Sequence, residues 1–102
     1  MSRAYTEVEA REMLLKHIAV LARYWAAQPG KTPLEKCNGL AFSILSTLDG
    51  DSIGWPVTDL ILCPQDEDKA DAIADGLNWF QPGMAIGDSP LHESWHRFAK
   101  KE

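Results

Sequence analysis

Two threonines fix where this chain can begin helices. Thr6 stands three residues before Glu9, Thr32 stands three before Glu35, and Pro33 follows Thr32 directly. In each pattern the hydroxyl and the carboxylate can satisfy orphan backbone N–H groups of a helix start reciprocally, and proline suits the first helical position because its missing N–H is not needed there. Gln28-Pro29-Gly30 lies just ahead of the second start and stops the helix before it. Two helices joined by so short a connection run antiparallel, so the N-terminal half is predicted to be a helical hairpin.

The apolar residues between these marks recur at helical spacing. In the first helix Ala10, Leu14, Ile18, Leu21 and Trp25 form one stripe, and Met13, His17, Val20 and Tyr24 form an adjoining one. In the second, Leu34, Cys37, Ala41, Ile44, Leu45 and Leu48 give one face, widened by Leu40 and Phe42. No charge separates Lys36 from Asp49, which predicts the most buried element of the chain. Gly39 inside this helix costs about 1 kcal/mol relative to alanine, a cost that close approach of the first helix would offset.

From Asp49 the texture changes. Residues 49–56 are turn chemistry, and Val57–Cys63, bounded by Pro56 and Pro64, reads as a short strand with which Met84-Ala85-Ile86 can pair. Asp66, Glu67 and Asp68 suit the N-terminus of a short helix ending near Gly76. Ser89-Pro90 opens a last helix whose core stripe is Leu91, Trp95 and Phe98. The predicted fold is mainly α: a two-helix hairpin packed on a C-terminal helix, with a short helix and a minimal strand pair, an α+β arrangement being the alternative. With 102 residues, 45% of them hydrophobic, the whole chain is expected to form a single compact domain, residues 1–102, burying roughly 65% of its extended area.

Composition also narrows the setting. No run reaches the roughly 18 apolar residues of a membrane span, and Met1–Met13 carries charges of both signs rather than the apolar run of a secretory signal. Cys37 and Cys63 lie far apart in sequence, as reduced thiols of a cytoplasmic protein would. The net charge of -5 is uneven: residues 1–48 carry +2 and residues 49–96 carry -9. An acidic middle repels phosphate backbones, so direct nucleic-acid binding is not expected and a basic protein partner is favoured. Such a stretch can also mimic DNA phosphates toward a nuclease, although its carboxylates show no regular spacing.

One segment suggests chemistry. His92-Glu93-Ser94-Trp95-His96 matches H-E-x-x-H, in which two imidazoles one turn apart can share a zinc ion while the glutamate activates its water. Over these five residues it resembles the zincin metalloprotease signature. The downstream third ligand of that pattern cannot be supplied by Arg97–Glu102, and upstream only Cys63 or Cys37 offers a thiolate, without the motifs that surround the cysteine in peptide deformylase. On a helix, His92 and His96 fall at the edge of the buried face, with Glu93 and Arg97 spaced as a solvent ion pair. A boundary histidine pair is the simpler reading, and zinc the alternative.

Other constellations fail sooner. Asp49 and Asp51 fit two positions of a calcium loop, but Leu60 stands where the bidentate glutamate belongs. Glycine-rich phosphate loops are absent. A Cys37–His17 pair falls on faces that should be buried. Trp79 and Phe80, in a segment without periodicity, either plug the top of the hairpin or stand exposed as anchors for another protein, and Trp55 can join either arrangement.

The stretch Pro29–Gly50, together with Leu91-His92-Glu93, resembles small uncharacterised proteins of bacteriophages and prophages over about residues 10–96. The resemblance implies a phage-related origin and transfers no activity, ligand or functional residue. The expected role is therefore a non-enzymatic accessory or protein-interaction domain in the host cytoplasm. It would act through Trp55, Trp79, Phe80 and the acidic residues Asp66, Glu67 and Asp68, with no catalytic residue and no cofactor. A zinc-binding domain or zinc-dependent hydrolase built on His92 and His96 is the alternative.

Overall fold

The computed structural model describes residues 2–52, 54–87 and 90–99. Among them lie four helices: α1 (Glu7–Ala26), α2 (Pro33–Leu48), α3 (Asp66–Ala74) and α4 (Leu91–Trp95). Both capping boxes form. The Thr6 hydroxyl accepts from the Glu9 N–H at 3.1 Å, and the Glu9 carboxylate accepts from the Thr6 N–H at 2.9 Å. Arg3 grips the same carboxylate through both terminal nitrogens at 2.8 Å, and together these donors hold Glu9 down to about 2. Thr32 and Glu35 repeat the pattern at 3.1 and 2.8 Å, with Pro33 in the first helical position. Between the helices Gly30 takes the left-handed conformation, φ +72°, and Lys36 donates to the Ala26 carbonyl at 3.0 Å. That bond satisfies one of the orphan acceptors at the end of α1.

The close approach anticipated at Gly39 is present. The edge of the Trp25 indole lies where a Cβ on Gly39 would be, 2.5–2.6 Å from three ring atoms. The indole N–H donates to the Ser43 hydroxyl at 2.9 Å, which fixes the ring across α2. About two turns earlier in α1, His17 meets the Thr47 hydroxyl at 3.0 Å, and that hydroxyl donates to the Ser43 carbonyl at 2.9 Å. With its proton given to Ser43, Thr47 accepts from His17, so His17 carries the proton on Nε2. α2 is the central element, packing on both α1 and α4.

Several expectations are corrected. Val57–Cys63 is not a strand; the sheet contracts to one antiparallel bridge, Ile61 to Ala85, flanked by bonds between Leu62 and Met84 and between Ile86 and Leu60. α4 begins at Leu91, with Pro90 in the cap position, and the expected cap Ser89 lies outside the described residues. Its five residues end before Phe98, which is 72% exposed rather than in a core stripe. A helix this short turns too little surface toward α2 to bury a residue three positions past its last turn. Val20 and Tyr24 are likewise exposed, because α2 covers only the neighbouring arc of α1, and Leu34 is exposed in the first turn of α2.

The described helices leave the molecule open. The radius of gyration is 17.5 Å, against about 13 Å for a compact chain of this length. The principal extents, 51 × 50 × 20 Å, describe a flattened molecule. Its accessible area of 8093 Å² exceeds by about 2,300 Å² that of a folded monomer of 11.4 kDa. Among the described residues no hydrophobic side chain is fully buried, and Thr47, 2% exposed, is the sole buried residue. Residues 54–87 form an arm carrying α3, which packs against none of the other described helices. No described helix is long and apolar enough to cross a membrane.

Candidate interaction surface

The arm collects most of the residues singled out from sequence. Asp66, Glu67 and Asp68 occupy the first turn of α3, where Asp68 accepts from the Gln65 N–H at 2.8 Å. Negative charge there is favoured by the helix dipole. The chain then turns at Gly76, φ +72°, and presents Trp79 and Phe80 beyond the helix. Lys69 lies 5.0 Å from the centre of the Trp79 ring, a cation–π contact. A cavity of about 240 Å³ opens among Pro64, Asp66, Lys69, Trp79 and Phe80. Of the two alternatives for these rings, exposure is the one found: Phe80 is 70% and Trp79 40% exposed. Trp55 joins neither ring. It is half-buried in its own turn, with its indole N–H donating to the Thr58 hydroxyl at 2.9 Å.

Further apolar side chains are exposed on α1. Val8 and Leu15 are exposed on α1, as are Ala19, Ala22 and Ala26. The spacing 8, 15, 19, 22, 26 is itself helical, a third apolar stripe beside the two already described. Near its C-terminal end an apolar groove of about 270 Å³ runs between Ala22 and Ala26 of α1 and Pro33, Cys37 and Leu40 of α2. Cys37, expected inside, is therefore exposed, as is Cys63, and both thiols are free.

His92 and His96 have separate surroundings. His92 is clasped by two carboxylates from the end of α2 and the turn after it. Nδ1 lies 2.5 Å from Asp49 and Nε2 lies 2.9 Å from Asp51, while the His92 backbone N–H donates to Asp49 at 2.8 Å. The Asp49 carboxylate thus serves as the side-chain cap that Pro90 cannot provide, since proline has no polar side chain. The hydrogen bond from Asp49 is the main influence raising the His92 pKa above its usual value. Burial opposes ionisation of Asp49, but the two N–H donors of His92 outweigh it and keep that carboxyl below its usual range. His96 instead lies against Phe42, 5.4 Å between ring centres, and Phe42 also meets the edge of His92 at 5.5 Å. Arg97 lies over the Phe98 ring at 5.5 Å in place of the expected pair with Glu93.

Both imidazole nitrogens of His92 face carboxylates, which hold the ring through a proton on each contact they accept. No group of three or more His, Cys, Asp or Glu side chains able to hold a metal occurs among the described residues. The Ser52 hydroxyl stands 3.5 Å from His17, too long for strong activation, and that ring is already engaged by Thr47. Beside α4 a recess of about 290 Å³ is lined by Trp25, Leu34, Asn38, Phe42, Trp95 and His96. The Trp95 indole N–H is buried without a hydrogen-bond partner among the described residues. Sequence reasoning missed the clasp because Asp49 and His92 are 43 positions apart, with no local pattern to join them. Comparison with known proteins yields no match to a family model, a curated protein or a solved structure.

Proposed function

We propose that this chain is a non-enzymatic protein-interaction module whose apolar surface is covered by a protein partner. One observation carries the reading: about 2,300 Å² of accessible area beyond the norm for a chain of this mass, with no hydrophobic side chain of the described residues fully buried. Folding must offset backbone and side-chain entropy with apolar burial, and a chain this open recovers too little of it alone. Exposed apolar patches beyond a few hundred Å² mark interaction sites on stable proteins. Phe80 and Trp79 on the arm, and Leu15 on α1, are the anchors, since interface energy concentrates in a few large side chains. The acidic turn of α3 steers a partner with basic surface.

Amide hydrogen exchange and binding of an apolar fluorescent dye test this reading on the diluted chain. Fast exchange across residues 57–87 and strong dye binding are expected. A chain that binds no dye and protects the arm as well as α2 would be self-sufficient, and the reading would fail.

A further inference from the structure

We propose that the partner is a second copy of this chain, arranged about a two-fold axis so that the acidic arm of each copy lies on the exposed face of α1 in the other. The inference rests on the interaction reading and names its occupant. Area is the first argument. An excess near 2,300 Å² per chain comes to roughly 4,600 Å² for two, within the 2,000–5,000 Å² buried by obligate homodimers. Charge is the second. The arm, residues 54–87, carries six carboxylates against Lys69, whereas residues 2–48 hold six Lys and Arg against four Glu. Lys16 and Arg23 are exposed on α1, seven residues apart, although α1 as a whole balances Arg11, Lys16 and Arg23 against Glu7, Glu9 and Glu12, so that the positive excess of residues 2–48 comes from Arg3, Lys31 and Lys36 at its two ends. The two halves are thus complementary in sign and both display apolar side chains, which is what a self-complementary, isologous contact requires. α3 leaves the apolar side chain of Ile73 unpacked within its own chain, so the arm is available to reach across.

Charge reversal tests the arrangement without disturbing residues that hold the fold. One variant carries Lys16→Glu and Arg23→Glu, the other Glu67→Lys and Asp71→Lys; circular dichroism checks that each keeps its helices. Sedimentation equilibrium should find the parent dimeric and each variant dissociating at a concentration at least about tenfold higher, because like charges then face each other. Mixed together, the two variants should pair with one another in preference to themselves, which native mass spectrometry reads directly from their masses. A parent dimer indifferent to both reversals overturns the proposed arrangement. A monomeric parent that binds dye and melts without cooperativity overturns the second copy and leaves the interaction reading standing, with another protein as the cover. A monomeric parent that melts sharply and binds no dye overturns both.

Discussion

Replacing Asp49 with alanine should destabilise the chain by about 3 kcal/mol and flatten its stability profile above pH 6. The substitution removes the acceptor for both the His92 backbone N–H and the His92 ring, on a residue whose side chain is only 6% exposed. Hydrogen bonds to charged groups contribute about 1.5–3 kcal/mol each, and a donor left unpaired adds its desolvation cost. The pH dependence follows from the directions of the two shifts. His92 is raised in the fold, so its contribution is full below the unfolded value of about 6.5 and is lost as pH rises through the folded value. Asp49 is lowered, so its contribution is full above about 3.9 and is lost as pH falls through its folded value. The parent should therefore be most stable between about pH 4 and 6.5 and weaken above it. Chemical denaturation across this range measures the effect. A variant that keeps the parent's decline above pH 6.5 would show that the decline has another origin.

Exchanging Gly39 for alanine should lower stability by about 1–3 kcal/mol, against the gain of about 1 kcal/mol that helix propensity alone would give. The new methyl would sit 2.5 Å from the Trp25 ring. The indole cannot simply swing aside, because its N–H is bonded to Ser43 and its ring stands edge-on to Tyr24 at 5.3 Å. Displacing it opens the contact between α1 and α2 beside Gly39. Tryptophan fluorescence should shift with the displaced ring. A stabilised Gly39→Ala chain with unchanged fluorescence would mean that the two helices do not meet there.

The hairpin was legible because its determinants are local. Thr6 with Glu9, Thr32 with Pro33 and Glu35, and the stop at Pro29-Gly30 each act within a few residues, and the structure reproduces all of them. Gly39 was legible for a related reason: a glycine in a helix without charge needs a packing explanation, and Trp25 supplies it. The strand pair was only half legible. Residues 60–62 and 84–86 do meet, but two segments pairing away from any larger sheet sustain one bridge and no ladder.

What escaped was the balance between covered and uncovered surface. Hydrophobic spacing identifies a helix face that wants burial and says nothing about whether this chain supplies the cover. Leu15 and Phe98 have the same apolar character as Leu14 and Trp95, yet the first two are exposed and the last two are half-buried. The difference lies in the length of α4 and the reach of α2, both set by tertiary geometry. His92 and His96 illustrate the converse. Their spacing suggests shared chemistry, but Asp49 and Asp51 clasp the nitrogens of one ring, and what the two rings share is the side chain of Phe42.

In the proposed dimer the stability of this chain comes in large part from association. Melting temperature recorded over about a hundredfold range of protein concentration tests it most directly, because a folded state stabilised by a bound copy is favoured by mass action. The midpoint should rise steadily with concentration, and the transition at the dilute end should broaden as the uncovered chain loses cooperativity. A sharp transition at one temperature across the whole range, from a protein of monomer mass throughout, would contradict it.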